Sequence, residues 1–159
     1  MAWKLNDILA RNTDTVNAMM LNLLDSHDTH RFFSEVGTDR EKMAAALHLL
    51  FLFPGVPCIF YGTEFYMEGG YDPDCRRCMD WSGYEAGRYD ESVQLVRKLT
   101  ALRQSYALAD AETVITAQSE TLIVKRRLNE IELSLYINLS DQDAAVDGRI
   151  VRAHSHLLL

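Results

Sequence analysis

The chain has 159 residues, 48% of them hydrophobic and 25% charged, enough for one ordinary globular domain or two small ones with a sizeable core. A formal net charge of -7 and a pI of about 5.1 argue against a surface that tracks phosphates, so nucleic acid is excluded as a partner class. The longest apolar run, at residues 49–53, is cut by Pro54 and Gly55, far short of the roughly 18 residues that suggest a membrane span.

Residues 1–4 lead into polar sequence without the basic-then-apolar layout of a secretory signal. Leu5, Ile8 and Leu9 recur at helical spacing, and Asn12-Thr13-Asp14 reads as the stop. Residues 16–24 are mostly apolar and end in the polar cluster Asp25-Ser26-His27-Asp28-Thr29-His30-Arg31; a buried strand feeding a functional loop is predicted, with a helical turn as an alternative beginning. Thr38-Asp39-Arg40-Glu41 has the capping-box pattern, and Met43, Ala46, Leu47, Leu50 and Leu52 continue it as a buried helix up to Pro54-Gly55. Cys58-Ile59-Phe60-Tyr61 is β-prone and closed by Gly62, which predicts a second buried strand.

Strand, loop, helix and strand make a βαβ unit, whose parallel strands bring their carboxyl ends, and the polar clusters there, to one side. Residues 69–87 read as a long ordered loop. Asp90 is predicted to cap a helix with Val93, Val96, Leu99 and Leu102 on one face. Beyond Ala109 the texture changes to short β-rich stretches at residues 112–117, 121–127 and 131–138, with further strands expected at 150–151 and 156–159; a boundary is placed near Asp110.

Acid, imidazole and guanidinium in direct succession after a strand suit a ligand-facing site: a carboxylate stabilises developing positive charge and a neighbouring histidine donates to a hydroxyl. On the residues alone two other readings stand beside it, a loop in which Asp25 or Asp28 pairs with Arg31, and a metal site made of His27, Asp28 and His30. Cys75-Arg76-Arg77-Cys78 has the spacing of half a zinc site or a redox pair, without a second pair to complete it. Three cysteines cannot close a disulfide framework, and the odd number fits a reducing compartment, hence the cytoplasm.

Leu23-Leu24-Asp25-Ser26-His27-Asp28-Thr29-His30-Arg31 resembles the last short signature segment of the α-amylase superfamily, at the end of barrel strand seven. Pro54-Gly55-Val56-Pro57-Cys58-Ile59-Phe60-Tyr61-Gly62-Thr63-Glu64 is similar to strand eight, with Thr63 where the family usually has aspartate. The stretch from Met67 through Asp72-Pro73-Asp74-Cys75-Arg76-Arg77-Cys78 to Trp81 resembles the following loop of the neopullulanase, cyclomaltodextrinase and maltogenic amylase branch.

The resemblance implies an α+β fragment: the last strands and helices of a (β/α)8 barrel in residues 1–109, followed by an antiparallel β-sandwich C-terminal domain in residues 110–159. It implies that Asp28 is the transition-state stabiliser, that His27 binds the same sugar, and that Asp72 and Arg76 bind the next one; a simple loop salt bridge between Asp72 and Arg76 is the plainer reading. Phe60, Tyr61 and Trp81 are candidates for stacking on sugar rings or for the core. Cysteines at positions 75 and 78 occur in that branch without a metal, and no metal or cofactor is expected. The implied partner is an α-glucan or maltooligosaccharide, not nucleic acid or a membrane.

Retaining glycoside hydrolysis needs a nucleophile and an acid/base carboxylate about 5–5.5 Å apart. In the family these lie upstream of the segment matching Asp28, and only 27 residues precede Asp28 here. The chain by itself is therefore expected to be inactive. It is also expected to self-associate or to pair with the missing barrel half, because a βαβ fragment leaves open edges and an apolar face.

Overall fold

The computed structural model describes residues 1–159. Helix α1 (Ala2–Ala10) leads directly into α2 (Asp14–Met19), whose first turn is capped by the Thr13 hydroxyl accepting from the Val16 N–H. Strand β1 is only Leu21–Asn22. The expected buried strand over residues 16–24 is thus corrected: residues 16–19 are helix, as in the alternative beginning, only Leu21–Asn22 is strand, and Met19, Leu21 and Leu23 are exposed. Apolar composition predicted burial, but burial of a parallel strand requires a layer on both faces, and β1 is paired with one strand only.

Helix α3 (Phe32–Glu35) is followed by α4 (Arg40–Leu52), which buries Met43, Leu47, Leu50 and Leu52; Ala46 is only half-buried. The α4 cap differs from the expected capping box. Thr38 takes a left-handed conformation (φ 57°), and the cap is Asp39, whose carboxylate accepts from the Lys42 N–H at 3.1 Å. Strand β2 (Val56–Pro57) pairs parallel to β1, with Leu21 opposite Val56 and Asn22 opposite Pro57. The parallel βαβ arrangement is present, but the second strand lies earlier than expected, and residues 58–60 are half-buried chain outside any strand. Gly55 is required at the junction: at φ 105° a Cβ there would lie 2.5 Å from both Asn22 Nδ2 and the Met20 carbonyl oxygen.

The predicted loop at residues 69–87 holds more structure than expected. After a 3₁₀ turn at Thr63–Phe65 come a second at Asp74–Arg76 and helix α5 (Trp81–Glu85), capped by Asp80 accepting from the Gly83 N–H. Helix α6 (Asp90–Ser105) starts one residue differently from expectation: Tyr89 is its N-cap, and Asp90 lies in the first turn, where its charge suits the helix dipole.

Strands β3 (Glu112–Gln118), β4 (Thr121–Leu128) and β5 (Ile131–Asn138) form the expected antiparallel meander. The hairpin β6 (Ala144–Val146) and β7 (Arg149–Val151) follows, and β8 (His156–Leu158) joins the free edge of β5, giving the sheet order β3-β4-β5-β8. Alternation along the strands divides the sheet between two clusters. Leu122, Val124, Leu133, Leu135 and Ile137 join Met43, Leu47 and Leu52 of α4 and Leu99 of α6 in one core, while Ile123 and Tyr136 pack with Val146 and Val151 on the other side. Each large apolar side chain buried in this way contributes about 1.5–3 kcal/mol. The main core runs without interruption across position 110.

Arg126 lies on the α4-facing side of β4, 2% exposed, with no carboxylate partner. Its guanidinium donates to the carbonyls of Leu52, Leu108 and Ala111, while Arg103 on α6 donates to those of Phe51 and Gly55. Burial and the nearby Arg103 charge push the Arg126 pKa down to about 10, so it remains cationic at neutral pH.

A second cross-link joins α4 to β8, where the His48 and His156 rings lie 4.3 Å apart and Glu41 Oε2 is 4.0 Å from His156 Nδ1. Burial, then the proximity of His48, lowers the His156 pKa from 6.5 to about 4; burial also lowers that of His48. The folded state therefore holds His156 neutral while the unfolded state protonates, and stability present above pH 6.5 is lost as the pH falls toward 4. Thermal melts across this window should show a smaller acid-induced drop in Tm for His156→Gln than for the native chain; equal drops would refute the linkage.

Candidate sugar-binding site

The parallel pairing of β1 and β2 sends residues 23–31 and 58–78 out on the same side, and there the structure brings all four sequence-predicted residues together. His27 Nε2 is 3.1 Å from Asp28 Oδ2, Arg76 Nη2 is 3.7 Å from Asp28 Oδ1, and Arg76 Nε is 2.9 Å from Asp72 Oδ1. Asp28 is thus flanked by an imidazole and a guanidinium that also binds Asp72. The Asp28 side chain is 71% exposed and that of His27 60%, so the cluster is open to a ligand, and as a solvent-screened ion-pair chain it adds little to stability.

The loop carrying His27 and Asp28 is shaped by its own short side chains. The Ser26 N–H donates to Thr29 Oγ1 at 2.9 Å, and the Asp28 N–H donates to Ser26 Oγ at 3.2 Å. Beneath it, buried Asp25 accepts from the Phe32 N–H (3.0 Å) at the start of α3 and from the Thr63 hydroxyl (2.6 Å). An aspartate at position 63 would set a second carboxylate against Asp25, whereas threonine supplies a donor.

The alternative pairing of Asp25 or Asp28 with Arg31 does not occur. Arg31 is fully buried, stacks on Phe60 and Tyr61 with its guanidinium carbon 4.4 and 4.7 Å from the ring centroids, and donates to the Tyr61 and Cys75 carbonyls at 2.7 Å each. Phe60 and Tyr61 therefore carry an arginine, and Trp81 is exposed beside Phe65.

His30 binds Glu35 and abuts Tyr71, apart from the His27-Asp28 pair. No group of three or more His, Cys, Asp or Glu side chains is arranged to hold a metal ion, and no helix is long and apolar enough to cross a membrane. Cys58, Cys75 and Cys78 are all unpaired. The buried Cys75 thiol donates to the His27 carbonyl at 3.1 Å, and Arg76 Nε reaches the same oxygen at 3.2 Å. These backbone-directed contacts of Arg31 and Cys75 were not apparent in the sequence, because their acceptors are carbonyls 30 to 48 residues away, which no spacing rule identifies.

Removing the Thr63 hydroxyl leaves a buried Asp25 oxygen without its donor. Thr63→Val is expected to destabilise the chain by about 1–3 kcal/mol, read from urea denaturation; Thr63→Ser should retain most of the stability, and equal losses in both would count against the bond.

A family model described as the alpha amylase catalytic domain matches residues 1–134. The chain is 44% identical over 103 residues to a maltogenic alpha-amylase of Bacillus acidopullulyticus, covering 65% of this chain and 17% of that protein. It is 43% identical over 97 residues to a cyclomaltodextrinase of Thermoanaerobacter pseudethanolicus, covering 60% of this chain and 16% of that one. The structure resembles the cyclic alpha-maltosyl-(1-->6)-maltose hydrolase of Arthrobacter globiformis in its ligand-free form, with a TM-score of 0.88 at 25% identity over 99% of this chain and 38% of the other. The chain thus spans about a sixth of the length of the curated relatives it matches. With the family model spanning most of its length, the chain belongs to the alpha-amylase family of glycoside hydrolases.

Proposed function

We propose that this chain supplies the sugar-binding side of an active site that hydrolyses α-glucosidic bonds in maltodextrins, cyclodextrins or pullulan. The single observation that carries the reading is the accessible Asp28-His27-Arg76-Asp72 chain at the carboxyl ends of two parallel strands, the end of a (β/α)-type barrel where ligands bind. Asp28 acts as transition-state stabiliser, its negative charge facing the positive charge that develops on the sugar in the cleavage subsite. His27 hydrogen-bonds hydroxyls of that sugar. Asp72 and Arg76 hold the next sugar, and because Arg76 also reaches Asp28, occupation of one subsite is felt at the other.

In the same reading residues 1–109 are the final part of a (β/α)8 barrel and residues 110–159 a β-sandwich part. Nucleophile and acid/base come from outside this chain, which is inactive by itself. The three free cysteines favour a cytoplasmic setting.

A non-catalytic module that binds oligosaccharide or self-assembles is the second reading. Self-assembly is favoured by an apolar cleft of about 420 Å³ lined by Leu5, Ile8, Leu24, Val36, Leu49 and Phe53, and by the exposed Met19, Leu21 and Val56. Either a second copy or the remainder of a barrel covers these surfaces.

Maltotriose titrated into the chain and followed by NMR is expected to shift the signals of residues 26–29 and 72–76, with Asp28→Asn weakening binding about tenfold or more. No binding by the native chain would sink the sugar-site reading. Turnover of maltotriose, cyclodextrin or pullulan that disappears in Asp28→Asn would sink the expected inactivity. Sedimentation at micromolar concentration is expected to find self-associated chain, and a monomer would count against exposed apolar surface driving assembly.

A further inference from the structure

The charged cluster is held together from below by groups that need not touch a sugar. Arg31 is fully buried, and no carboxylate approaches it within salt-bridge distance. Instead it joins three segments. Its guanidinium donates to the carbonyl of Tyr61, just beyond β2, and to that of Cys75 in the second 3₁₀ turn, while its own N–H donates to the Gly69 carbonyl at 3.0 Å. A buried cation without a counter-charge persists only where several carbonyl dipoles converge on it, and any segment that moved away would leave it under-solvated.

The next link is Cys75, also fully buried, whose thiol donates to the His27 carbonyl. Arg76, the following residue, donates to the same oxygen and reaches both Asp28 and Asp72. Gly69 lets the segments approach closely. A Cβ at that position would lie 2.6 Å from the Asp74 carbonyl oxygen, 3.0 Å from the Cys75 Cα and 3.1 Å from Arg31 Cγ.

We infer that Arg31 and Cys75 are positioning residues forming a latch: Arg31 fixes the backbone of Cys75, and the Cys75 thiol then fixes His27, so that Asp28 and the Asp72-Arg76 segment are presented to one ligand. The latch rests on the reading of that cluster as a sugar site only for its effect on binding; its mechanical part stands on the hydrogen bonds alone.

Two measurements on the chain separate these parts. In native-state alkylation by iodoacetamide with peptide mapping, Arg31→Gln is expected to raise the labelling rate of Cys75 about tenfold or more, because loss of the clamp frees the turn that buries the thiol. Exposed Cys78 serves as the internal reference and should change less than about twofold. If Arg31→Gln fails to fold by circular dichroism, Gly69→Ala, which pushes directly on the Cys75 backbone, is read in the same way. Continued protection of Cys75 in the folded variant overturns the latch.

In maltotriose titrations Cys75→Ala is expected to weaken binding about tenfold, whereas Cys75→Ser, which restores a donor to the His27 carbonyl, stays within about twofold of the native chain. Equal affinities for the alanine and serine variants overturn the positioning role of the thiol. Absence of maltotriose binding by the native chain refutes the sugar-site reading and with it the latch's role in binding, while the alkylation result still decides whether Arg31 holds Cys75.

Discussion

The carboxyl end of α4 is where the two halves of the molecule are tied together. The last carbonyls of a helix have no partners within it and carry its negative dipole, and here they meet two guanidiniums, Arg103 from α6 and Arg126 from β4. That choice explains a cation on the core-facing side of a strand otherwise filled by Leu122 and Val124. It also fixes the Phe53-Pro54-Gly55 exit from α4, and so the place where β2 begins beside β1. The polar loops downstream inherit their position from this junction.

A similar device operates on the other side of the β1-β2 pair. Arg31 is held through Nε and Nη1 by carbonyls and by aromatic faces rather than by an acid, with its Nη2 unpartnered, which leaves Asp28 free of it and available to His27 and Arg76. Buried arginine braces the backbone, while the exposed carboxylates and Arg76 form the solvent-facing cluster. This separation allows the outer cluster to be solvent-screened and energetically light while remaining geometrically defined.

Much of the secondary structure was legible because it depends on periodicity. The α4 and α6 helices and the three long strands fall close to their expected positions, since one face of each is buried in a continuous core and a register slip would expose it. The two parallel strands were less legible. Their apolar composition foretold buried strands within residues 16–24 and at 58–61, yet β1 and β2 have two residues each and pair only with one another, because ladder length is set by neighbouring strands, which composition does not encode. The capping residues of α4 and α6 were displaced by one position for a local reason at α4, where Thr38 takes a left-handed turn and leaves the cap to Asp39.

Of the candidate site, the sequence by itself determined which residues are neighbours: His27 and Asp28 adjoin by covalent connection, and Asp72 and Arg76 stand four residues apart in one loop. Only the tertiary structure decided that these two pairs meet, that Arg76 bridges them, and that Arg31 serves the carbonyls instead of Asp25 or Asp28. The physical reason is that a guanidinium can be satisfied by an acid, an aromatic face or a set of carbonyls. Which of these it finds depends on where β2 and the loop after it are brought in the folded chain, 30 to 44 residues downstream of Arg31.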